Sequence, residues 1–332
     1  MTDLIIIIPT YNKEKYVEKA LDSILEQQTK YKYELLISDD CSSDNTLTII
    51  KEKLKATSIR YTILPSQKNM GLFHNIMKAY EKIDAKYFTV LDPDDYWCDK
   101  NKIEVALNYL ESNLECTIYS SNVYVKEGNF KSKYFNEKKW RDFNYKDYLD
   151  GNALISQTSG TIYRNVIFNE GIPDFIKNYN SESKNSSFRG DSFRNAIHIH
   201  EGKCHYDPVC RSVYQITDDG IWTSSSQIKR DLLNILINKD LFLLFNSENI
   251  ELLQKSYDSY KVFLKRLPSM LLNNNNTKDD IINLFNELTD LQILYSKNSE
   301  KLIPCKKNKN IIKNRIITLI KKIYNKVIFY LD

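Results

Sequence analysis

Three acidic clusters in this chain carry the residue types needed for chemistry on an anionic ligand. Glu34-Leu35-Leu36-Ile37-Ser38 leads into Asp39-Asp40-Cys41-Ser42-Ser43-Asp44, and Tyr87-Phe88-Thr89-Val90-Leu91 leads into Asp92-Pro93-Asp94-Asp95. Much later, Phe188-Arg189-Gly190-Asp191 precedes the helical stretch Ser192-Phe193-Arg194-Asn195-Ala196-Ile197. An Asp-x-Asp at a strand end sets two carboxylates close together. Hard cations such as Mg2+ and Mn2+ take oxygen ligands and share them with substrate phosphates, so the pattern points to a metal bridging protein and diphosphate. Alone, an Asp-x-Asp is more often a turn or helix cap.

The elements that must hold these clusters alternate. Leu4 to Ile8 is a continuous Ile-rich run, as in a strand buried on both faces. Further strands are expected at Tyr33 to Ser38, Ile59 to Leu64, Tyr87 to Leu91 and Thr117 to Val125. Helices are expected from Lys13 to Gln27, from a Ser42–Ser43 cap to Lys55, from Gly71 to Lys82 and from Lys100 to Leu110. Alternating strands and helices predict an α/β fold with a mostly parallel sheet between helices. Ligands of such sheets sit outside the carboxyl ends of the strands. From about 128 to 225 the chain reads as irregular, and Lys177 to Ser187 as a mobile loop. Helical spacing returns at Arg230 to Phe245, Ile250 to Leu267 and Asp279 to Tyr295, with Asn273 to Asn276 as a linker.

Four motifs follow the first four strands in order: Pro9-Thr10-Tyr11-Asn12, Asp39-Asp40-x-Ser-x-Asp, Asn69-x-Gly71-x-x-x-Asn75 and Asp92-Pro93-Asp94-Asp95-Tyr96-Trp97. They gather along one sheet edge. The ordered set resembles the nucleotide-sugar half of family 2 glycosyltransferases, which have the GT-A fold. The resemblance is strong over about residues 4 to 125, weak over about 150 to 225, and stops before the C-terminal helices.

That resemblance implies roles. Pro9, Thr10 and Tyr11 would line the base and ribose. Asp39 would meet the uracil edge, where a carboxylate suits a donor N–H. Asn69 and Gly71 would close over the nucleoside. Asp92 would face the ribose or a metal-bound water, Asp94 would ligate Mn2+ or Mg2+ directly, and Asp95 would stand near the sugar. Asp191 would be the base, although Gly190 replaces the family's usual Glu. A positioned carboxylate can take the proton of an attacking hydroxyl, the metal would stabilise the departing diphosphate, and one displacement inverts the anomeric centre. Tyr214-Gln215-Ile216-Thr217-Asp218-Asp219-Gly220-Ile221-Trp222 resembles the family's closing loop. Many members have Arg where Gln215 stands. Asp219 and Trp222 are candidate acceptor or closing-loop residues, and Trp222 could stack on a sugar or simply pack. The absence of Gln-x-x-Arg-Trp favours transfer of a single sugar over polymerisation.

Two other patterns compete for attention. His198, His200, Cys204, His205 and Cys210 fall within 13 residues, but their spacing fits no zinc pattern, and His198 and His200 read as a helix end with Cys204 to Asp207 on the next strand. Packing is the simpler reading, with one His as an extra metal ligand left open. Near the C-terminus, Ile312, Ile316, Leu319, Ile320, Ile323, Val327 and Leu331 share a helical face beside Lys313, Arg315, Lys321, Lys322 and Lys326. Such a helix suits an anionic membrane surface or a packing partner.

Composition bounds the rest. Lys plus Arg is 47 against 43 Asp plus Glu, a net charge of +4 too small to argue for a nucleic-acid partner. The 42% hydrophobic and 27% charged residues are ordinary for a globular chain. No secretory signal or spanning apolar run is expected. Six scattered Cys read as reduced thiols in the cytoplasm. The expected organisation is a GT-A domain over 1–225, with a nucleotide-sugar half at 1–125 and an acceptor half at 126–225. A helical extension at 226–300 and a basic amphipathic helix at 306–332 would follow. The expected activity is inverting transfer of a single sugar from a UDP-linked donor to a hydroxyl of a glycan or lipid-linked saccharide, by a non-processive cytoplasmic enzyme peripheral to the inner face of the membrane. The alternative is a non-catalytic nucleotide-sugar or glycan-binding protein.

Overall fold

The computed structural model describes residues 2–173, 176, 190–218, 220, 227–245, 249–271, 291 and 293–298. Its centre is strand β1 (Leu4–Thr10), buried at all seven positions. β-Branched Ile packs well on a pleated surface, and each fully buried side chain of this size contributes roughly 1.5–3 kcal/mol. β1 pairs in parallel with β2 (Tyr33–Asp39) on one side and β4 (Tyr87–Val90) on the other. β3 (Tyr61–Pro65) extends the sheet beyond β2, also in parallel. The helices α1 (Val17–Leu25), α2 (Thr46–Lys55) and α3 (Leu72–Tyr80) connect these strands. On α1, Val17, Ala20, Leu21 and Ile24 lie on one face and are fully buried against the sheet.

After β4 come the short β5 (Tyr96–Trp97), α4 (Lys102–Ser112), β6 (Cys116–Glu127), β7 (Phe130–Lys133), β8 (Arg141–Phe143), α5 (Tyr145–Leu149) and β9 (Thr161–Arg164). Helix α6 (Gly190–His200) and the 14-residue β10 (Lys203–Ile216) follow. The sheet has ten strands in the order β3-β2-β1-β4-β9-β6-β10-β5, with β7 on β6 and β8 on β10. β9 runs antiparallel to both β4 and β6, so the sheet is mixed, though β6 and β10 again pair in parallel. This is the α/β architecture expected, with a mostly parallel core flanked by helices.

Two expectations are corrected. The stretch 128–225 is not irregular throughout: among the described residues it supplies four strands and two α-helices. Nor do Ser42 and Ser43 cap α2. That helix starts at Thr46, where the Asp44 carboxylate takes the Thr46 N–H and hydroxyl.

The chain divides into two compact units, Met1–Ser224 and Ser225–Asp332. The second contains α7 (Gln227–Leu244) and α8 (Ile250–Leu271), joined by a bond from the buried Ser256 hydroxyl to the Ile235 carbonyl. Lys177 to Ser187, Asn273 to Asn276 and the basic segment 306–332 lie outside the described residues. So does most of the expected helix from Asp279 to Tyr295. Among the described residues, no helix is long and apolar enough to cross a membrane.

Candidate active site

The parallel register brings the ends of β1 and β2 side by side, with Pro9 opposite Ser38 and Thr10 opposite Asp39. Thr10 Oγ1 donates to Asp39 Oδ1 at 3.0 Å. Ser42 adds its hydroxyl to the same oxygen at 2.6 Å and its N–H to Oδ2 at 3.0 Å. These three bonds fix the Asp39 carboxylate and leave one of its roughly four acceptor positions for a further N–H among the described residues. Tyr11 stands at the rim, 45% exposed.

The two loops are also stitched together by backbone. The N–H groups of Asn12, Lys13 and Glu14 donate to Ser42 Oγ, Thr46 Oγ1 and Asp44 Oδ2 at 3.0, 2.7 and 3.0 Å. The Asn12 side chain returns a bond to Ser43 N–H at 2.8 Å. Asn12 and Cys41 have φ of 50° and 66°, the left-handed turns that let both loops double back. Burial would raise the Asp44 carboxyl, but the Thr46 hydroxyl and N–H and the Glu14 N–H hold it below its ordinary range.

Asp40 faces the other way from Asp39. Its two oxygens take the N–H groups of Met70 and Gly71 at 2.8 and 2.7 Å. Gly71 has φ of 86°, a conformation glycine adopts without strain. The Asn69 side chain accepts from Gly71 N–H at 3.0 Å, so the exposed Asn69 shapes this turn. Behind it, Asn75 Nδ2 donates to Ser38 O at 2.7 Å, and Lys78 Nζ donates to Leu64 O at 2.8 Å and Asp39 O at 3.2 Å. Burial lowers the Lys78 pKa, against the pull of Asp40 and Asp39.

The acidic turn follows β4. Asp95 N–H closes it on Asp92 O at 2.9 Å. Burial around the carboxyl, reinforced by the charge of Asp94, pushes Asp92 up to about 7. Asp191 raises it further, while Arg194 and Lys13 oppose the shift. Asp94 Oδ2 lies 2.9 Å from Lys13 Nζ. Asp95, expected near the sugar, has its carboxylate bonded within the protein. It is 3% exposed, takes Gln215 N–H at 2.9 Å, and is pushed well above the carboxylate range by burial and then by Asp92.

Asp191 stands in the first turn of α6, with its Oδ1 accepting Ser192 N–H at 2.7 Å. One turn on, Arg194 is 1% exposed, donates to Tyr80 OH at 2.7 Å and stands 5.2 Å from the centre of the Tyr163 ring. Asp219 and Trp222 lie outside the described residues.

The acidic pair fits a hard cation. Its donors are carboxylate oxygens, and Asp94 already holds a cationic group at ion-pair distance. The His and Cys residues do not form a cluster around one point. His198 Nδ1 meets Arg194 O at 2.7 Å, and burial pushes this ring down to about 3, keeping it neutral. His205 stacks on Tyr109 at 3.6 Å and meets Asp142 at 2.7 Å. Among the described residues, no three His, Cys, Asp or Glu side chains are grouped to hold a metal.

Sequence reasoning missed Lys13, Asp40, Asn75 and Arg194 as parts of this site, and read Gln215 only as a closing-loop position. Asp40 and Asn75 stood inside the quoted motifs, and a lysine directly after Tyr11-Asn12 was visible. Only the fold reveals that Lys13 reaches Asp94.

The chain resembles known proteins in sequence and in fold. The sequence model described as Glycosyl transferase family 2 matches residues 5–172, half of the chain. An uncharacterized protein of Mycobacterium tuberculosis (strain ATCC 25618 / H37Rv) is 27% identical over 227 residues, 68% of this chain. The matched region spans only 62% of that relative's length. The dTDP-rhamnosyl transferase RfbG of Shigella flexneri is 40% identical over 119 residues, 34% of this chain and 40% of RfbG. Residues 1–349 of S. aureus TarS, in complex with UDP-GlcNAc, superpose with a TM-score of 0.61 at 16% identity, covering 87% of this chain and 80% of that one. This last likeness is one of fold, the GT-A architecture.

Proposed function

The chain belongs to glycosyl transferase family 2, and from that premise we propose that it is an inverting, metal-dependent enzyme. It moves one sugar from a UDP-linked donor to a hydroxyl of a glycan or lipid-linked saccharide in cell-surface polymer synthesis. The observation that carries this reading is the convergence of four loop ends and the head of α6 on one sheet edge, with Asp92, Asp94 and Asp191 close enough for their charges to interact.

In this reading Asp39 accepts the imide N–H of a pyrimidine base. The RfbG name specifies a dTDP donor and the TarS complex holds a UDP donor. Uracil and thymine present the same imide edge, which supports a pyrimidine nucleotide. Asp40 holds the turn at Met70 and Gly71 against the nucleoside. Asp94 and Asp92 would hold Mn2+ or Mg2+, which when bound supplies positive charge to the leaving diphosphate. Asp191 accepts the proton of the acceptor hydroxyl as its oxygen attacks the anomeric carbon. The bond from that carbon to the diphosphate breaks on the opposite face and the nucleoside diphosphate leaves.

The test is nucleoside diphosphate release from a panel of UDP- and dTDP-sugars, with candidate glycan acceptors and Mn2+. Acceptor-dependent release that EDTA and Asp94→Ala both abolish is expected. An unchanged rate in EDTA overturns the metal assignment. Donor binding without turnover on any acceptor favours the binding-protein alternative.

A further inference from the structure

Lys13 lies in the first loop, yet its side chain crosses the cleft to the acidic turn. The loop backbone cannot follow it. The N–H groups on both sides of Lys13, and its own, are held by Ser42, Asp44 and Thr46 in the loop after β2. The backbone is therefore pinned behind the cleft and the flexible four-carbon stem spans it. Its ammonium meets Asp94 Oδ2 at 2.9 Å, with the two side chains 16% and 18% exposed. Two cationic side chains favour the charged form of Asp92, Arg194 and Lys13. Arg194 is 1% exposed and held by Tyr80, so of these two the lysine is the one open to solvent.

We propose that Lys13 is a resident cation of the diphosphate site, holding Asp94 in the empty enzyme and transferring to the donor's diphosphate when a divalent ion takes that carboxylate. This rests on the nucleotide-sugar reading and adds a residue and an exchange to it. An ammonium and a divalent ion on one carboxylate oxygen repel strongly, so an ion that takes Asp94 Oδ2 displaces Lys13. The anion then within reach of the pinned stem is the diphosphate, for which a lysine is a suitable point-charge partner. Electrostatic balance supports the exchange: the site gains two positive charges from the ion and two or more negative charges from the diphosphate.

The test compares wild type, Lys13→Met and Lys13→Arg as full chains whose melting curves show them folded. Mn2+ alone is titrated by electron paramagnetic resonance, and UDP is titrated by calorimetry in saturating Mn2+. Lys13→Met is expected to bind Mn2+ tighter by roughly threefold to tenfold, since its competitor is gone. The same variant should bind UDP more weakly by about tenfold, having lost a charge-assisted contact. Lys13→Arg should resemble wild type in both. A measurement on wild type avoids any folding defect: acetylation of Lys13, read by mass spectrometry, should speed up with Mn2+ and slow again when UDP is added. A folded Lys13→Met variant with either affinity unchanged overturns the proposal, as does labelling indifferent to Mn2+. Wild type that binds neither Mn2+ nor UDP overturns the nucleotide-sugar reading itself, and this exchange with it.

Discussion

Gln215, at the end of β10, donates its backbone N–H to Asp95 Oδ1 at 2.9 Å, while its side-chain amide reaches Asp94 O at 2.5 Å. One residue thus braces the acidic turn from the far part of the sheet, using two bonds that no metal or sugar is needed to complete. Where a family arginine would carry charge to phosphate, this glutamine amide is spent on the protein backbone.

The bracing makes Asp95 a positioning residue. Asp95→Ala strands a buried N–H and should cost about 1–3 kcal/mol of stability. It should also lower kcat/KM by loosening Asp94. Asp95→Asn keeps an acceptor at Oδ1 and the neutral state that burial favours, so its melting temperature should stay near wild type. Thermal melts and steady-state kinetics on both variants check this. Equal losses from Ala and Asn would point to a role for the charge instead.

Asp92 predicts a pH dependence. Its carboxyl rises from 3.8 to about 7 in the folded, metal-free protein. The folded state therefore binds this proton more tightly than the unfolded chain, and that stabilisation is present below about 4 and lost as pH rises through about 7. Asp92→Asn should then raise the stability of the metal-free protein at pH 8 by roughly 1–3 kcal/mol, after discounting for the residual access of solvent. The gain should shrink towards pH 4. In wild type, Mn2+ affinity should weaken as pH falls below about 7, because a protonated carboxyl cannot ligate. Chemical denaturation in EDTA and Mn2+ titrations across this range are the measurements; a flat profile in both refutes the shift.

Much of the first half was legible because β1 is Ile-rich and both β1 and β4 are short runs buried throughout. The acidic clusters sat at the ends of β2 and β4, where parallel sheets collect ligands. Only the start of strand β10, Cys204 to Asp207, was legible. Its 14 residues contain Asp207 and Pro208, and its pairing with β6 slips between Lys203 and Cys204, between Asp207 and Cys210, and between Cys210 and Ser212. Those irregularities erase the two-residue alternation that marks a strand. Adjacent acids posed a different problem. Asp39 and Asp40 point to opposite sides, and composition alone cannot tell that Asp40 serves the Gly71 turn. The Lys13–Asp94 pair joins residues 81 apart, so only the assembled sheet brings it into view. Ser42 and Ser43 look like helix caps because their chemistry suits one. The fold uses that chemistry to tie two loops together.

Asp191 should act on turnover alone. Asp191→Asn keeps the shape and an oxygen for the Ser192 N–H, and removes the proposed base. Turnover should fall by about 10²-fold or more, while donor binding by calorimetry stays within a few-fold of wild type. Near-normal turnover would send the search for the base to Asp218 or Asp219.

The last prediction concerns membrane attachment through 306–331, which lies outside the described residues and is argued from sequence. Seven aliphatic residues, Ile312 to Leu331, recur at helical spacing beside five basic ones, after the polar stretch Ser296 to Glu300. Each basic residue near an anionic surface contributes about 1 kcal/mol, and burial of the apolar face adds to it. Those terms suffice for reversible binding and fall short of insertion, so high salt or alkali should release the protein without detergent. A helix that packs on protein would behave differently: its removal would lower the melting temperature or cause aggregation, and lipid charge would not matter. Truncation after Lys301 separates the two. Full-length protein should sediment with anionic vesicles and much less with neutral ones, while the truncated chain stays in solution with an unchanged melt. Equal sedimentation of the two chains, or indifference of the full chain to lipid charge, rules out attachment through this segment.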